Sequence, residues 1–135
     1  MRIGADYYPE HWEKERWKTD AEMMVKANIK VIRIGEFAWS LYEPEEGKYE
    51  FDWMDEALDF FGKYGIKVVM CTPSATPPKW MIDKYPDILQ NDIHGNPKLF
   101  GTRKHYCFNS ETYREKTKKL NTLIAKRYAK HPAIE

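Results

Sequence analysis

The sequence predicts an α/β fold in which three parallel β-strands alternate with three helices. Two observations predict this fold. Three short apolar runs are each followed by a helical pattern of apolar residues, and no Gly-rich phosphate-binding loop follows any of the runs. With 135 residues, 42% of them apolar, the chain has the size of one domain, spanning residues 1–135.

The first strand, the first helix and the second strand follow from apolar spacing. Residues 2–7 form a candidate strand. Trp17, Ala21, Met24 and Val25 then stand at i, i+4, i+7 and i+8, as on the buried face of a helix. Residues 29–35 form the second strand, and their nearly continuous apolar character predicts burial on both faces.

Capping signals delimit the second helix. Asp52 is the expected N-cap and Gly65 the expected C′ glycine. The residues expected on its buried face are Trp53, Ala57, Phe60, Phe61 and Tyr64. Residues 66–72 form the third strand.

A Pro-rich passage, residues 73–109, separates the third strand from the third helix. Ser110 is the expected cap of that helix, and Pro132 is expected to stop it. Its expected buried residues are Tyr113, Thr117, Leu120, Ile124 and Tyr128. Long loops after the second and third strands favour a (β/α)8 TIM barrel over a doubly wound sheet, so we expect the first three of eight units, with function at the carboxyl ends of the strands.

Charge and cysteine content exclude several classes of partner. The 22 basic and 21 acidic residues are interspersed, so no basic stripe predicts nucleic-acid binding. No apolar run has membrane-spanning length, and no secretory signal follows Met1. Two cysteines, Cys71 and Cys107, make no disulfide framework. We therefore expect a cytoplasmic protein that binds neither nucleic acid nor membrane.

An aromatic loop after the second strand indicates sugar binding. A sugar ring presents apolar C–H faces and polar edges, and aromatic side chains beside carboxylates match both. The residues that supply them are Phe37, Trp39, Tyr42, Glu43, Tyr49, Phe51 and Trp53. The alternative, that each aromatic only fills the core, stays open, and it is favoured for Trp53.

Five motifs in order make the sequence resemble glycoside hydrolase family 42, the β-galactosidases. They are GADYYPEHW at 4–12, RIGEFAW at 33–39, EPEEGKYEFDWMD at 43–55, TPSATPPKW at 72–80, and HYC with FNS within 105–110. The resemblance implies a retaining β-galactosidase whose barrel carries two catalytic glutamates. HPAIE, residues 131–135, resembles the lead into strand four, so both catalytic glutamates are expected beyond Glu135 and no catalytic residue is expected in this chain.

The resemblance also assigns two residues and an assembly. Arg103 matches an arginine that contacts galactose, a role that suits its planar donor fork; a surface arginine in a solvated loop is the alternative. Cys107 matches the first of four thiolates that hold a structural zinc ion, whose other three ligands are expected outside this chain; a free thiol is the alternative. No cofactor is expected for the chemistry, and the family often forms homotrimers.

Other carboxylates and histidines receive structural interpretations. Glu10, Glu36 and Glu43 follow strand ends, where the chemistry of a barrel lies, but the sequence shows no catalytic pair among them. We expect Glu10 and Glu36 to be rim residues that bond the backbone or neighbouring loops rather than to act directly in catalysis. His94, His11 and His131 are interpreted as solvated turn residues.

Three functions remain open from the sequence. The first is an N-terminal portion of a β-galactosidase, inactive by itself and unstable or self-associating through unpaired strand edges. The second is another retaining glycosidase with the same barrel. The third is a non-catalytic sugar-binding or scaffold piece.

Overall fold

The structure, a computed structural model, describes residues 2–102 and 104–135. Its strands and helices are β1 (Ile3–Asp6), α1 (Lys14–Lys26), β2 (Ile29–Ile34), α2 (Trp39–Tyr42), α3 (Asp52–Lys63), β3 (Lys67–Met70), α4 (Lys79–Lys84) and α5 (Glu111–Tyr128). Short 3-10 helices lie at Pro9–His11, Pro73–Ala75 and Pro86–Ile88. Among the described residues, no helix is both long and apolar enough to cross a membrane.

The strands form one parallel sheet in the order β1-β2-β3. Asp6 lies opposite Arg33, and Ile34 lies opposite Met70. Each strand is shorter than its predicted span. The chain returns to the sheet after α5, where Val68 donates to the Ala133 carbonyl at 2.8 Å and accepts from the Glu135 N–H at 3.0 Å. Residues 133–135 thus run parallel to β3 along its outer edge, as expected for a lead into a fourth strand.

The described chain divides into two compact units. The first comprises the residues up to Glu36, Phe51–Cys71 and Arg127–Glu135, and it contains the sheet with α1 and α3. The second comprises Phe37–Glu50 and Thr72–Lys126, and it contains α2 and α4.

The core of the first unit forms between the sheet and its helices. Ile32, Ile34 and Val68 are fully buried. The helical residues buried in this unit are Trp17, Ala21 and Met24 of α1, Met54, Ala57, Leu58 and Phe61 of α3, and Tyr128 of α5. This core confirms most of the predicted face of α1, and it confirms Ala57 and Phe61 of the predicted face of α3.

One prediction about α1 and one about β2 are wrong. Val25 is 42% exposed, and the polar Asp20 is buried in α1 instead, because it accepts hydrogen bonds from Tyr7 at 2.9 Å and Arg16 at 3.1 Å. β2 is buried on one face only, since side chains alternate along a strand and Val31 and Arg33 remain partly exposed beside buried Ile32 and Ile34.

The ends of α3 correct one predicted cap and confirm the other. Phe51 is the residue before the first helical turn, and Asp52 is the first helical residue, where its charge favours the helix N-terminus. Gly65 has a φ of +71°, as the C′ position requires. The buried face is shifted, because Met54 and Leu58 are fully buried and the predicted Trp53, Phe60 and Tyr64 are only partly so.

The predicted start of α5 is confirmed. Ser110 precedes the helix, and its hydroxyl accepts a hydrogen bond from the Tyr113 N–H at 3.2 Å. Tyr113, Leu120 and Ile124 of this helix are buried in the second unit. The helix ends at Tyr128, before Pro132.

Candidate functional site

A charged cluster occupies the carboxyl ends of β1 and β2. Arg33 donates from Nε to Asp6 Oδ1 at 2.7 Å and from Nη2 to Asp6 Oδ2 at 3.1 Å. The same Nη2 lies 2.7 Å from Glu36 Oε2. The parallel register places Asp6 and Arg33 opposite each other, so the strand pairing builds this cluster directly.

Asp6 and Arg33 stabilise each other's charged form. The hydrogen bonds from Arg33 hold the pKa of Asp6 below its usual value, and those bonds raise the pKa of Arg33. Burial raises the pKa of the Cys71 thiol, although Arg33 opposes the shift. Asp6 and Arg33 are therefore charged at neutral pH, and Cys71 is a weak nucleophile.

Glu43 is a structural carboxylate in the second unit. It is 2% exposed, and it accepts from Trp39 Nε1 at 3.0 Å and from the Gly47 N–H at 2.9 Å. Its backbone carbonyl accepts from Trp80 Nε1 at 2.9 Å. Burial, and to a lesser extent the negative charge of Glu43, raises the pKa of Tyr49 to about 12. Glu43 thus joins the polar atoms of three aromatic side chains.

The aromatic loop fills the interior more than it lines a surface. Trp39 and Tyr42 are fully buried, so the sugar-platform interpretation is wrong for these two residues and the core interpretation is right. Phe37 is 44% exposed. Trp53 is half-buried, less than the predicted core position implies.

Glu10 behaves differently from the other two carboxylates that follow strand ends. It lies in the 3-10 helix after β1, and neither of its carboxylate oxygens bonds another described residue or reaches solvent. Burial raises its pKa, although its own backbone N–H and, less strongly, His11 oppose the shift. The expected bond to the backbone or neighbouring loops finds no partner in another described residue.

The segment with the two predicted site residues, 99–107, lies in the second unit. Arg103 lies outside the described residues. Cys107 donates from its backbone N–H to the Ile88 carbonyl at 2.7 Å, and its thiol is free and half-buried. His105 is 5% exposed, and its Nδ1 lies 2.8 Å from the Thr102 carbonyl oxygen.

Metal binding is limited to one candidate ligand. No three His, Cys, Asp or Glu side chains within residues 2–102 and 104–135 lie close enough together to hold a metal ion. A closed structural zinc site needs four ligands. The described residues therefore fit a zinc ion only in part, through Cys107.

Two histidines test the turn interpretation. His94 lies exposed in a turn that Asp92 organises by accepting from the N–H groups of His94 at 2.8 Å and Asn96 at 2.9 Å, which confirms the prediction. The prediction that His131 is a solvated turn residue is wrong. Its Nε2 lies 3.4 Å from Asp59 Oδ1, and its Nδ1 accepts a hydrogen bond from the Ala133 N–H at 3.2 Å.

A second charged cluster surrounds Glu46, and no sequence pattern indicates it. Glu46 accepts from Tyr85 at 2.8 Å and forms ion pairs with Lys84 and Lys116. Hydrogen bonds from Lys116, then Lys84, then Tyr85 lower the pKa of Glu46 to about 2. These residues come from three distant segments whose Lys and Glu content is ordinary for an exposed surface, so no local pattern marks them.

Parallel strands followed by helices, with charged side chains at the carboxyl ends, are the arrangement of a (β/α)-barrel enzyme. The chain belongs to glycoside hydrolase family 42, since the family model described as "Beta-galactosidase" matches residues 6–135.

Relatives and solved structures agree with this assignment. The chain is 52% identical over 132 residues to a β-galactosidase of Thermus thermophilus and 48% identical over 134 residues to β-galactosidase BgaH of Haloferax lucentense, matching 98% and 99% of this chain. It matches the crystal structure of a β-galactosidase from the psychrophilic Marinomonas ef1 with a TM-score of 0.95 at 46% identity, over 99% of this chain and 20% of that one. The chain spans about 20% of the length of the curated relatives, so it forms the first three strand–helix units of a TIM barrel.

Proposed function

We propose that this chain is part of a β-galactosidase that releases terminal non-reducing β-D-galactose with retention of configuration. The observation that carries the proposal is the 48–52% identity to named β-galactosidases over nearly all of the chain. Retaining glycosidases use two carboxyl groups about 5 Å apart, one as acid/base and one as nucleophile.

The described carboxylates support a non-catalytic role for this chain. Glu43 is buried and bonded to Trp39 and Gly47, and Glu36 pairs with Arg33. The carboxylate oxygens of Glu10 lie out of solvent contact. None of these three carboxylates is both exposed to solvent and free of a protein partner. This agrees with catalytic glutamates supplied from outside residues 1–135.

Arg103 is the residue of this chain proposed to bind the galactose. A guanidinium donates two parallel hydrogen bonds to neighbouring oxygens, which suits adjacent sugar hydroxyls. The charged cluster of Asp6, Arg33 and Glu36 stands at the end of the strands where barrel enzymes place their sites.

The proposal also covers the metal, the assembly and the location. Cys107 would supply one of four zinc ligands, and the ion would hold loops together rather than take part in the chemistry. A cytoplasmic homotrimer is the proposed form of the complete enzyme. Loss of zinc from a Cys107→Ser variant, measured by elemental analysis beside a Cys71→Ser control, would support the ligand assignment, and retained zinc would contradict it.

The experiment that tests the function is hydrolysis of a panel of aryl β-glycosides by the 135-residue chain and by the complete enzyme. We expect turnover only by the complete enzyme, with preference for the galactoside. Preference for another sugar would overturn the substrate. Turnover by the short chain would place the catalytic pair among Glu10, Glu36 and Glu43, and sugar binding without turnover by the complete protein would indicate a binding module.

A further inference from the structure

The segment that follows α5 turns back onto the sheet through His131, Pro132, Ala133 and Ile134. The Ile134 N–H donates to the His131 carbonyl at 3.0 Å, and Pro132, directly after His131, has the fixed φ that such turns favour. The Ala133 N–H donates to Nδ1 of His131 at 3.2 Å. The imidazole therefore supplies an acceptor within the turn, as Asn and Asp side chains do in other turns.

The end of this turn pairs with the edge of β3. The Val68 N–H donates to the Ala133 carbonyl at 2.8 Å, and the Val68 carbonyl accepts from the Glu135 N–H at 3.0 Å. Ala133 is buried and fits closely against α3, because a methyl group at Gly62 would lie 3.3 Å from the Ala133 Cβ. Both backbone polar groups of Ala133 are thus engaged, the N–H by His131 and the carbonyl by Val68.

The contact with Ala133 fixes which nitrogen of His131 carries the proton. A backbone N–H only donates, so Nδ1 accepts, and the proton of the neutral ring is on Nε2. Nε2 lies 3.4 Å from Oδ1 of Asp59. The ring therefore has an acceptor nitrogen at the turn and a donor nitrogen at a carboxylate of α3.

Ionisable groups approach this ring from three elements. They are Asp55, Asp59 and Lys63 of α3, Lys67 of β3, and Arg127 and Tyr128 of α5. Of the described carboxylates, only Asp59 lies within 4.0 Å of a ring nitrogen. Asp55 is engaged by Arg127, and Lys67 donates to the Pro132 carbonyl at 2.6 Å. Asp59 is thus the neighbour that stabilises a positive charge on the ring, and because its side chain is largely exposed, solvent keeps this attraction modest.

We propose that His131 is a pH-sensitive switch at the edge of β3, in which the unprotonated Nδ1 holds residues 133–135 on the strand and protonation of the ring releases them. Protonation puts a hydrogen on Nδ1, so two donors face each other and the bond from Ala133 is lost. The protonated ring keeps Asp59 as its partner, whereas the Ala133 N–H is left without an acceptor, which is unfavourable away from water. Histidine side chains change charge between about pH 8 and 5.

Hydrogen exchange in the complete enzyme tests the switch at the Val68 and Glu135 amides. After correction for the intrinsic pH dependence of exchange, we expect their protection to fall at least about threefold between about pH 7.5 and 5.5. His131→Asn places a non-titrating oxygen near the position of Nδ1, so protection should change by less than about 1.5-fold over this range. His94→Asn, which removes an imidazole from an exposed turn of the second unit, should behave like the parent.

Two further variants separate the switch from a general effect of acid. Asp59→Asn removes the partner of the protonated ring, so the fall in protection should begin at a lower pH than in the parent. His131→Ala removes the acceptor at every pH, so protection should be low throughout the range.

Three results would overturn the proposal: equal falls in the parent and His131→Asn, protection in the parent that does not change with pH, and parent-like protection in His131→Ala. A fall that begins at the same pH in Asp59→Asn and the parent would overturn the role of Asp59. None of these measurements uses a galactoside, so a failure of the switch is distinguishable from a failure of the proposed function.

Discussion

The indole nitrogen of Trp39 donates to the carboxylate of Glu43 at 3.0 Å, four residues along the chain, and both side chains are buried. The other carboxylate oxygen accepts from the Gly47 N–H at 2.9 Å. A loop that reads as a sugar platform is therefore an internally bonded structure, and the carboxylate that follows the second strand holds it together.

Glu43→Gln is expected to lower the free energy of unfolding by about 1–3 kcal/mol. The two carboxylate oxygens of Glu43 accept from Trp39 Nε1 and from the Gly47 N–H. The amide of Gln has only one oxygen, so one of these two N–H groups loses its acceptor and faces an NH2 group instead. Urea unfolding measures the loss. In the complete enzyme kcat should stay within a few-fold of the parent, because Glu43 takes no part in the chemistry. Glu50→Gln, at an exposed position of the same loop, is the control. A fall in kcat of a thousandfold with unchanged stability would contradict the structural role.

Glu46→Gln is expected to lower the melting temperature at pH 7. The folded-state pKa of Glu46 is about 2, below its ordinary value of 4.5. A lowered pKa contributes stability that is present above the unfolded value and is lost as the pH falls through the folded value.

The difference in melting temperature between parent and Glu46→Gln should therefore shrink between pH 4.5 and about 2. Scanning calorimetry across this range measures it, with Glu45→Gln, whose side chain is 68% exposed, as the control. A difference that stays constant with pH would show that the ion pairs with Lys84 and Lys116 are not its source.

Glu10→Gln is expected to stabilise the protein at neutral and alkaline pH. Burial raises the pKa of Glu10 above its ordinary value of 4.5. A raised pKa contributes stability that is present below the unfolded value and is lost as the pH rises through the folded value. The side chain of Gln does not ionise, so the variant does not lose this stability as the pH rises.

Melting temperatures of parent and Glu10→Gln should therefore separate as the pH rises above 4.5. Glu22→Gln, on the exposed face of α1, should show no such separation. A Gln variant that becomes less stable than the parent at high pH would mean that the ionised carboxylate is stabilised by contacts of its own.

The 135-residue chain by itself is expected to self-associate through β1. Within the described residues no strand pairs with the outer edge of β1, and Ile3 in this strand is 47% exposed. Unpaired strand edges pair with other chains, and lysine at an edge opposes this.

Ile3→Lys should therefore reduce self-association measured by sedimentation velocity at increasing concentration. Val25→Lys, at a 42% exposed helix position away from the edge, should leave it unchanged. A parent chain that sediments as a single monomer and melts cooperatively would contradict the expectation.

The α/β order, the three parallel strands and the start of α5 were predictable because they depend on neighbours in the sequence. Ser110 caps its helix through a bond to a residue three positions away. Gly65 ends its helix through its own backbone conformation. The motifs likewise predicted family 42 membership, which the match over residues 6–135 confirms.

The side-chain network was not predictable, because its partners come from distant segments. Asp20 is buried in α1 because Tyr7, 13 residues earlier, donates to it. Glu46 is bonded by residues 38, 39 and 70 positions away. The aromatic loop looked equally suited to a sugar or to a core, and only its burial decided between them.

The sequence by itself determined the order of the three strands and the three long helices, the helix ends at Gly65 and Ser110, and the family, because local spacing and backbone conformation carry that information. Only the tertiary structure decided which charged and aromatic side chains meet. It paired Arg33 with Asp6 across two strands, enclosed Trp39 with Glu43, and aimed His105 Nδ1 at Thr102. Those contacts depend on strand register and burial, which are properties of the folded chain rather than of any short segment of it.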